Sequence, residues 1–232
     1  WYKGSEGTTI NVFNWGEYLS DGSDDMMDVN AEFEKLTGIT VNYVNFETNE
    51  DMYAKIKGGG SNYDVIIPSD YMIERMIADG ELEHIAFENI ENYEKYITDN
   101  FKNLDYDPEN MYSVPYTFGT VGILYNKKMV DGVPSFKTLW DKKYENNVIM
   151  YDSERDSIGI TLKMLGYSLN TENDAELSKA KEQLIAQSPN VQAYFTDLVR
   201  EKMVANDAAL AVVYSGDASL CIAENPDLAF VV

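Results

Sequence analysis

Short apolar runs alternate with amphipathic stretches from residue 8 onward. "TTINVF" at 8–13 is β-branched and apolar, the pattern of a strand. Met26, Val29, Phe33 and Leu36 recur at helical spacing, so a helix is expected over 24–36, stopped by Gly38. Residues 39–46, "ITVNYVNF", read as the second strand. Thr48 and Asp51 have capping-box spacing and open a helix through Lys57, and "GGGS" at 58–61 reads as the turn that follows. Val65, Ile66 and Ile67 form an unbroken apolar run, expected as a strand buried on both faces. Pro68-Ser69 ends that run before a short helix closed by Gly80. This β-α-β-α-β order predicts a mostly parallel sheet covered by helices.

Around 112–126, "YSVPYTFGTVGILYN", the pattern becomes extended, with Pro115 and Gly119 bracketing a crossover. A second βα series follows: a strand at 147–152, helices at 154–165, 174–187 and 196–205, a strand at 208–214, a short helix from about Asp217, and a last strand, "LAFVV". The division expected is a lead at 1–9, a first α/β lobe at 10–115, and a crossover with a second α/β lobe at 116–232. "LAFVV" is apolar and ends the sequence inside a core element, so a longer natural chain is expected.

Composition narrows the function. With 40 acidic against 18 basic residues the net charge is −22, which disfavours nucleic acid and suits small cations. Cys221 is the only cysteine and His84 the only histidine, which excludes a disulfide framework and a cysteine-rich or three-histidine zinc site. No apolar run approaches the ~20 residues of a membrane span. Nucleophile elbows, phosphate-binding loops, dinucleotide glycine fingerprints and H-E-x-x-H are all missing.

Strand ends carry the candidate chemistry. "FNWGEYLS" places Glu17 between Trp15 and Tyr18 where the first strand closes. Rings and a solvated acid there can simply pack; they can also form a cation site, since aromatic faces attract ammonium groups and a carboxylate neutralises them. Ser69 and Tyr71 follow the third strand, where Ser69 either caps the next helix or faces a ligand. In the second half Ser153 and Asp156 have capping-box spacing, and Tyr214 ends an apolar strand ahead of Asp217. On spacing alone the capping role for Asp156 is the preferred one. Open α/β folds bind ligands at such carboxyl ends.

Taken together, "FNWGEYLS", "ETNEDMYAKIK", "YDVIIPSDYMIERM", "YSVPYTFGTVGILYN" and "LKMLGYSLNT" resemble the spermidine/putrescine-binding proteins of bacterial ABC importers. The resemblance runs from about Ile10 to Val232. It implies an α/β, two-lobed periplasmic-binding-protein-like fold with mixed, mostly parallel sheets and a hinge, its C-terminal part missing from this chain. It also implies an extracytoplasmic polyamine receptor, in the periplasm or as a surface lipoprotein, partnered by permease subunits, with no cofactor and no enzymatic activity. The ligand residues so implied are Trp15, Glu17, Tyr18, Ser69, Tyr71, Asp156 and Tyr214. Asp156 replaces the longer Glu of many relatives, and Ser153 stands where spermidine-binding relatives can carry a further acid. Two other readings stay open: a receptor for another cation, such as ferric ion held by tyrosines, and a carbohydrate-active enzyme with paired carboxylates.

Overall fold

β-Branched and aromatic residues in "TINVFNW" form β1 (Thr9–Trp15), the middle strand of a three-stranded sheet. It pairs in parallel with β2 (Thr40–Phe46) on one side and β3 (Val65–Ile66) on the other. The computed structural model describes residues 4–16, 18–59 and 62–232, in two units, Trp1–Thr117 and Phe118–Val232. In the first unit α1 (Val29–Thr37), α2 (Asn49–Lys57), α3 (Asp70–Ala78) and the short α4 (Asn92–Tyr96) accompany the sheet. Its core gathers Phe13 and Phe46 with Met52, Met72 and Met76, all buried.

Two expectations for this unit need correction. The first helix starts at Val29, because the Asp28 carboxylate accepts from Ala31 N at 2.9 Å and so caps it there. Asp25, at φ 60°, closes a separate 3-10 turn. The expected apolar face is not a core face, since Met26 and Leu36 are 63% and 68% exposed. The third strand is short, and Val65 is 46% exposed, because among the described residues β3 pairs only with β1 and is an edge. Positions 60 and 61 of the expected turn lie outside the described residues.

The second unit holds a mixed five-stranded sheet in the order β6-β5-β7-β4-β8. These strands are β4 (Val121–Asn126), β5 (Val148–Tyr151), β6 (Val191–Phe195), β7 (Leu210–Tyr214) and β8 (Leu228–Val231). β5 pairs in parallel with β6 and β7, whereas β4 runs antiparallel to both β7 and β8. Alternation along the strands separates two cores. Val148, Met150, Leu210 and Val212 pack on one face, and Ile149, Ala211 and Val213 on the other. α5 (Glu154–Leu165) and α6 (Asp174–Gln187) precede β6, α7 (Val199–Val204) follows it, and α8 (Ser215–Glu224) follows β7. β6 has no counterpart among the expected strands, and the helix expected over 196–205 is shorter because residues 196–198 turn the chain from the end of β6 into α7. Of residues 112–126 only the last six form strand; the rest has no regular structure.

Cys221 is buried among the residues packed on α7 and α8. Burial pushes its thiol from an ordinary 9.0 up to about 11. The native state holds that proton longer than the unfolded chain does, so stability is expected to fall as pH rises from about 9 towards 11. At pH 8 the thiol should resist a disulfide reagent until the protein is unfolded; rapid labelling of the native protein would contradict this burial.

Candidate functional site

In the first unit, β1 delivers Trp15 to its carboxyl end, directly opposite Phe46 of β2. Trp15 meets the Phe46 ring at 4.6 Å and the Tyr18 ring at 5.9 Å, and Tyr18 in turn lies 6.2 Å from Tyr116. The Tyr116 hydroxyl donates to the Tyr18 carbonyl oxygen, so the row is tied across 98 residues of sequence. Trp15 is half-buried, while Tyr18 and Tyr116 are 40% and 55% exposed, which leaves ring surface open to solvent. Glu17 lies outside the described residues.

The segment leading to Tyr116 is held from below by Asp107, which is only 3% exposed. Its carboxylate accepts from the main-chain nitrogens of Met111, Tyr112 and Ser113 and from the Ser113 hydroxyl, at 2.8–3.0 Å. Four donors compensate the burial of one charge.

Ser69 and Tyr71 come together at the start of α3. Ser69 occupies the N-cap position, yet its side chain caps nothing. Its hydroxyl instead accepts from Asn49 Nδ2 at 3.0 Å, and Tyr71 accepts from the same nitrogen at 2.9 Å. The Tyr71 hydroxyl donates to Glu50 Oε1 at 3.0 Å. The structure therefore joins the ends of β2 and β3 through one polar cluster, Asn49, Glu50, Ser69 and Tyr71.

In the second unit, Tyr214 ends β7 and Asp156 sits in the first turn of α5. The Tyr214 hydroxyl lies 3.1 Å from both Asp156 carboxylate oxygens, and the Tyr151 ring meets the Tyr214 ring edge-on at 5.2 Å. Ser153 does cap α5, accepting from Asp156 N at 3.2 Å. Half of the capping box thus forms. The Asp156 carboxylate faces Tyr214, which corrects the helix-terminus role that spacing favours. Asp217 occupies the first turn of α8, where burial raises its pKa against the opposing pull of Arg200.

Rings, hydroxyls and carboxylates make up both groups, a set that suits cations. Among the described residues no group of three or more His, Cys, Asp and Glu side chains could hold a metal, and no helix is long and apolar enough to cross a membrane. Asn49, Glu50, Tyr116 and Tyr151 are absent from the residues the sequence singled out. Asn49 and Glu50 follow β2 as Ser69 and Tyr71 follow β3, so the strand-end rule applied to every strand would have found them.

Residues 29–232 match the family of bacterial extracellular solute-binding proteins. The spermidine/putrescine-binding periplasmic protein of Salmonella typhimurium is 33% identical over 217 residues, 92% of this chain and 60% of its own length. The chain therefore spans about 60% of that curated relative. A structure from Listeria monocytogenes, described as a candidate spermidine/putrescine ABC transporter, superposes with a TM-score of 0.90 at 37% identity. It is matched over 97% of this chain and 68% of its own. The spermidine/putrescine ABC transporter substrate-binding protein PotD of Streptococcus pneumoniae gives 0.73 at 37% identity, over 97% of this chain and 68% of its own.

Proposed function

Because the chain belongs to the bacterial extracellular solute-binding protein family, we propose that it captures a polyamine outside the cytoplasm and delivers it to the permease subunits of an ABC importer. It acts as a receptor and not as an enzyme. The observation that carries this reading is that each unit sets ring surface, exposed at Tyr18 and partly exposed at Trp15 and Tyr214, near hydroxyls and carboxylates at its strand ends.

Polyamine nitrogens resemble the lysine ammonium group and stay charged at neutral pH. Taking each from water costs several kcal/mol unless a carboxylate meets it. Glu17 and Asp156 are assigned that role. Trp15, Tyr18 and Tyr71 in the first unit, and Tyr214 in the second, are assigned to the methylene chain, each ring contributing roughly 0.5–2 kcal/mol to a nearby ammonium, and Ser69 is assigned as an acceptor for a nitrogen. A micromolar site needs about −8 kcal/mol in total, which a few such contacts supply after ordering costs.

A thermal-shift panel of putrescine, spermidine, cadaverine, sugars and ferric ion tests the reading. Only the amines should raise the melting temperature, since a ligand stabilises the state it binds; stabilisation confined to a sugar or to iron would refute it.

Selectivity follows from Ser153. Aspartate also caps helices well, so Ser153→Asp keeps the cap on α5 while adding a carboxylate beside Asp156. Competition binding is expected to shift preference from putrescine towards spermidine, which has one more amine to neutralise. Equal loss for both ligands would leave Ser153 as a cap alone.

A further inference from the structure

We propose that Asn49 is a positioning residue that orients the Ser69 hydroxyl and fixes Tyr71 as a hydrogen-bond acceptor, and so tunes this cluster for a ligand whose nitrogens only donate. The inference rests on the polyamine reading above.

Asn49 opens α2 and is 5% exposed. The orientation of its amide is determined by a neighbour that has no choice. Ser69 N donates to Asn49 Oδ1 at 3.0 Å, and a main-chain nitrogen can only donate. The amide nitrogen is thereby turned towards the Ser69 and Tyr71 oxygens, 3.0 and 2.9 Å away. Both hydroxyls must accept from it. Tyr71 has a single hydroxyl proton, and that proton lies towards the Glu50 carboxylate at 3.0 Å. Whatever else approaches the phenol oxygen therefore meets it as an acceptor. An ammonium group offers donors only, so Tyr71 matches it; a sugar hydroxyl, which also needs a donor, finds none at Tyr71.

Asn49→Asp separates this account from simple electrostatics. The aspartate keeps the shape and can still accept from Ser69 N, but it replaces the donating NH2 by an acceptor. Ser69 and Tyr71 would have to turn their protons towards it, and Tyr71 cannot serve both Asp at 49 and Glu50. Charge alone predicts tighter binding of a cation to the added carboxylate. Reversed polarity predicts the opposite, a loss of about tenfold.

The experiment is calorimetry on the full chain with putrescine and with spermidine, for wild type, Asn49→Asp, Tyr71→Phe and the double variant. Asn49→Asp should bind both amines about tenfold more weakly, and this loss should shrink to about threefold or less in the Tyr71→Phe background. General loosening of the fold would carry over undiminished. Should Asn49→Asp fail to fold, Asn49→Ala removes the donor without adding charge and is expected to show the same coupling to Tyr71. Wild-type affinity or better in Asn49→Asp, or an undiminished loss in the Tyr71→Phe background, overturns the assignment alone. Absence of polyamine binding by the wild-type protein overturns the proposed function and this inference with it.

Discussion

Replacing Asp156 by asparagine is expected to weaken polyamine binding by about 2–5 kcal/mol, the cost of stripping one partner from a desolvated charge pair. The substitution keeps shape and volume, and an amide oxygen can still accept from the Tyr214 hydroxyl that now lies 3.1 Å from both carboxylate oxygens. The Ser153 cap uses the main-chain nitrogen of residue 156 and is untouched. Stability without ligand should therefore change little, which separates this loss from unfolding. Calorimetry with putrescine and a melting curve on the same sample check both halves. Unaltered affinity would remove Asp156 from the site; a large drop in melting temperature would mark it as structural.

Gly122→Ala is expected to destabilise the second unit severely. Gly122 lies in β4, between β7 and β8, where a Cβ would sit 2.3 Å from the Val231 carbonyl oxygen and 2.6 Å from the Phe230 ring. Those positions belong to the paired strand β8, with Leu124 opposite Phe230 and Ile123 opposite Val231. Relief would require β8 to move away from β4 and lose its ladder. Overpacking of this kind typically costs about 1–3 kcal/mol, and contact with backbone puts this case at or above the upper end. Urea unfolding followed by circular dichroism measures it. A midpoint within error of wild type would mean that β8 does not pack on β4 as described.

Much of this fold is legible in the sequence for a simple reason: strands buried on both faces must be apolar at every position. β5, "VIMY", and β7, "LAVVY", are found that way. Gly166, at φ 83°, marks the end of α5 just as plainly. β6, "VQAYF", escapes because it is an edge strand with exposed Gln192 and Tyr194, and edge strands carry a weaker apolar signal. The early start expected for α1 fails because Met26, largely exposed, only mimics the first step of a helical face, while the local Asp28 cap decides where the helix begins.

The candidate site divides in the same way. Trp15, Ser69, Tyr71, Asp156 and Tyr214 are singled out by the strand-end rule together with the family resemblance. Which side chain meets which is not legible, because a partner 20, 58 or 98 residues away leaves no periodic trace. Spacing could not say that Ser69 leaves its helix uncapped and turns to Asn49, nor that Asp156 turns to Tyr214. The hold of Tyr116 on Tyr18 was equally hidden.

Calorimetric titration of this chain with putrescine and spermidine, beside glucose as a control for sugar chemistry, decides whether it is a polyamine receptor. Saturable binding of one amine per chain in the micromolar range, about −8 kcal/mol, is expected, with no heat of binding from glucose. Binding of glucose with no response to either amine would contradict that reading.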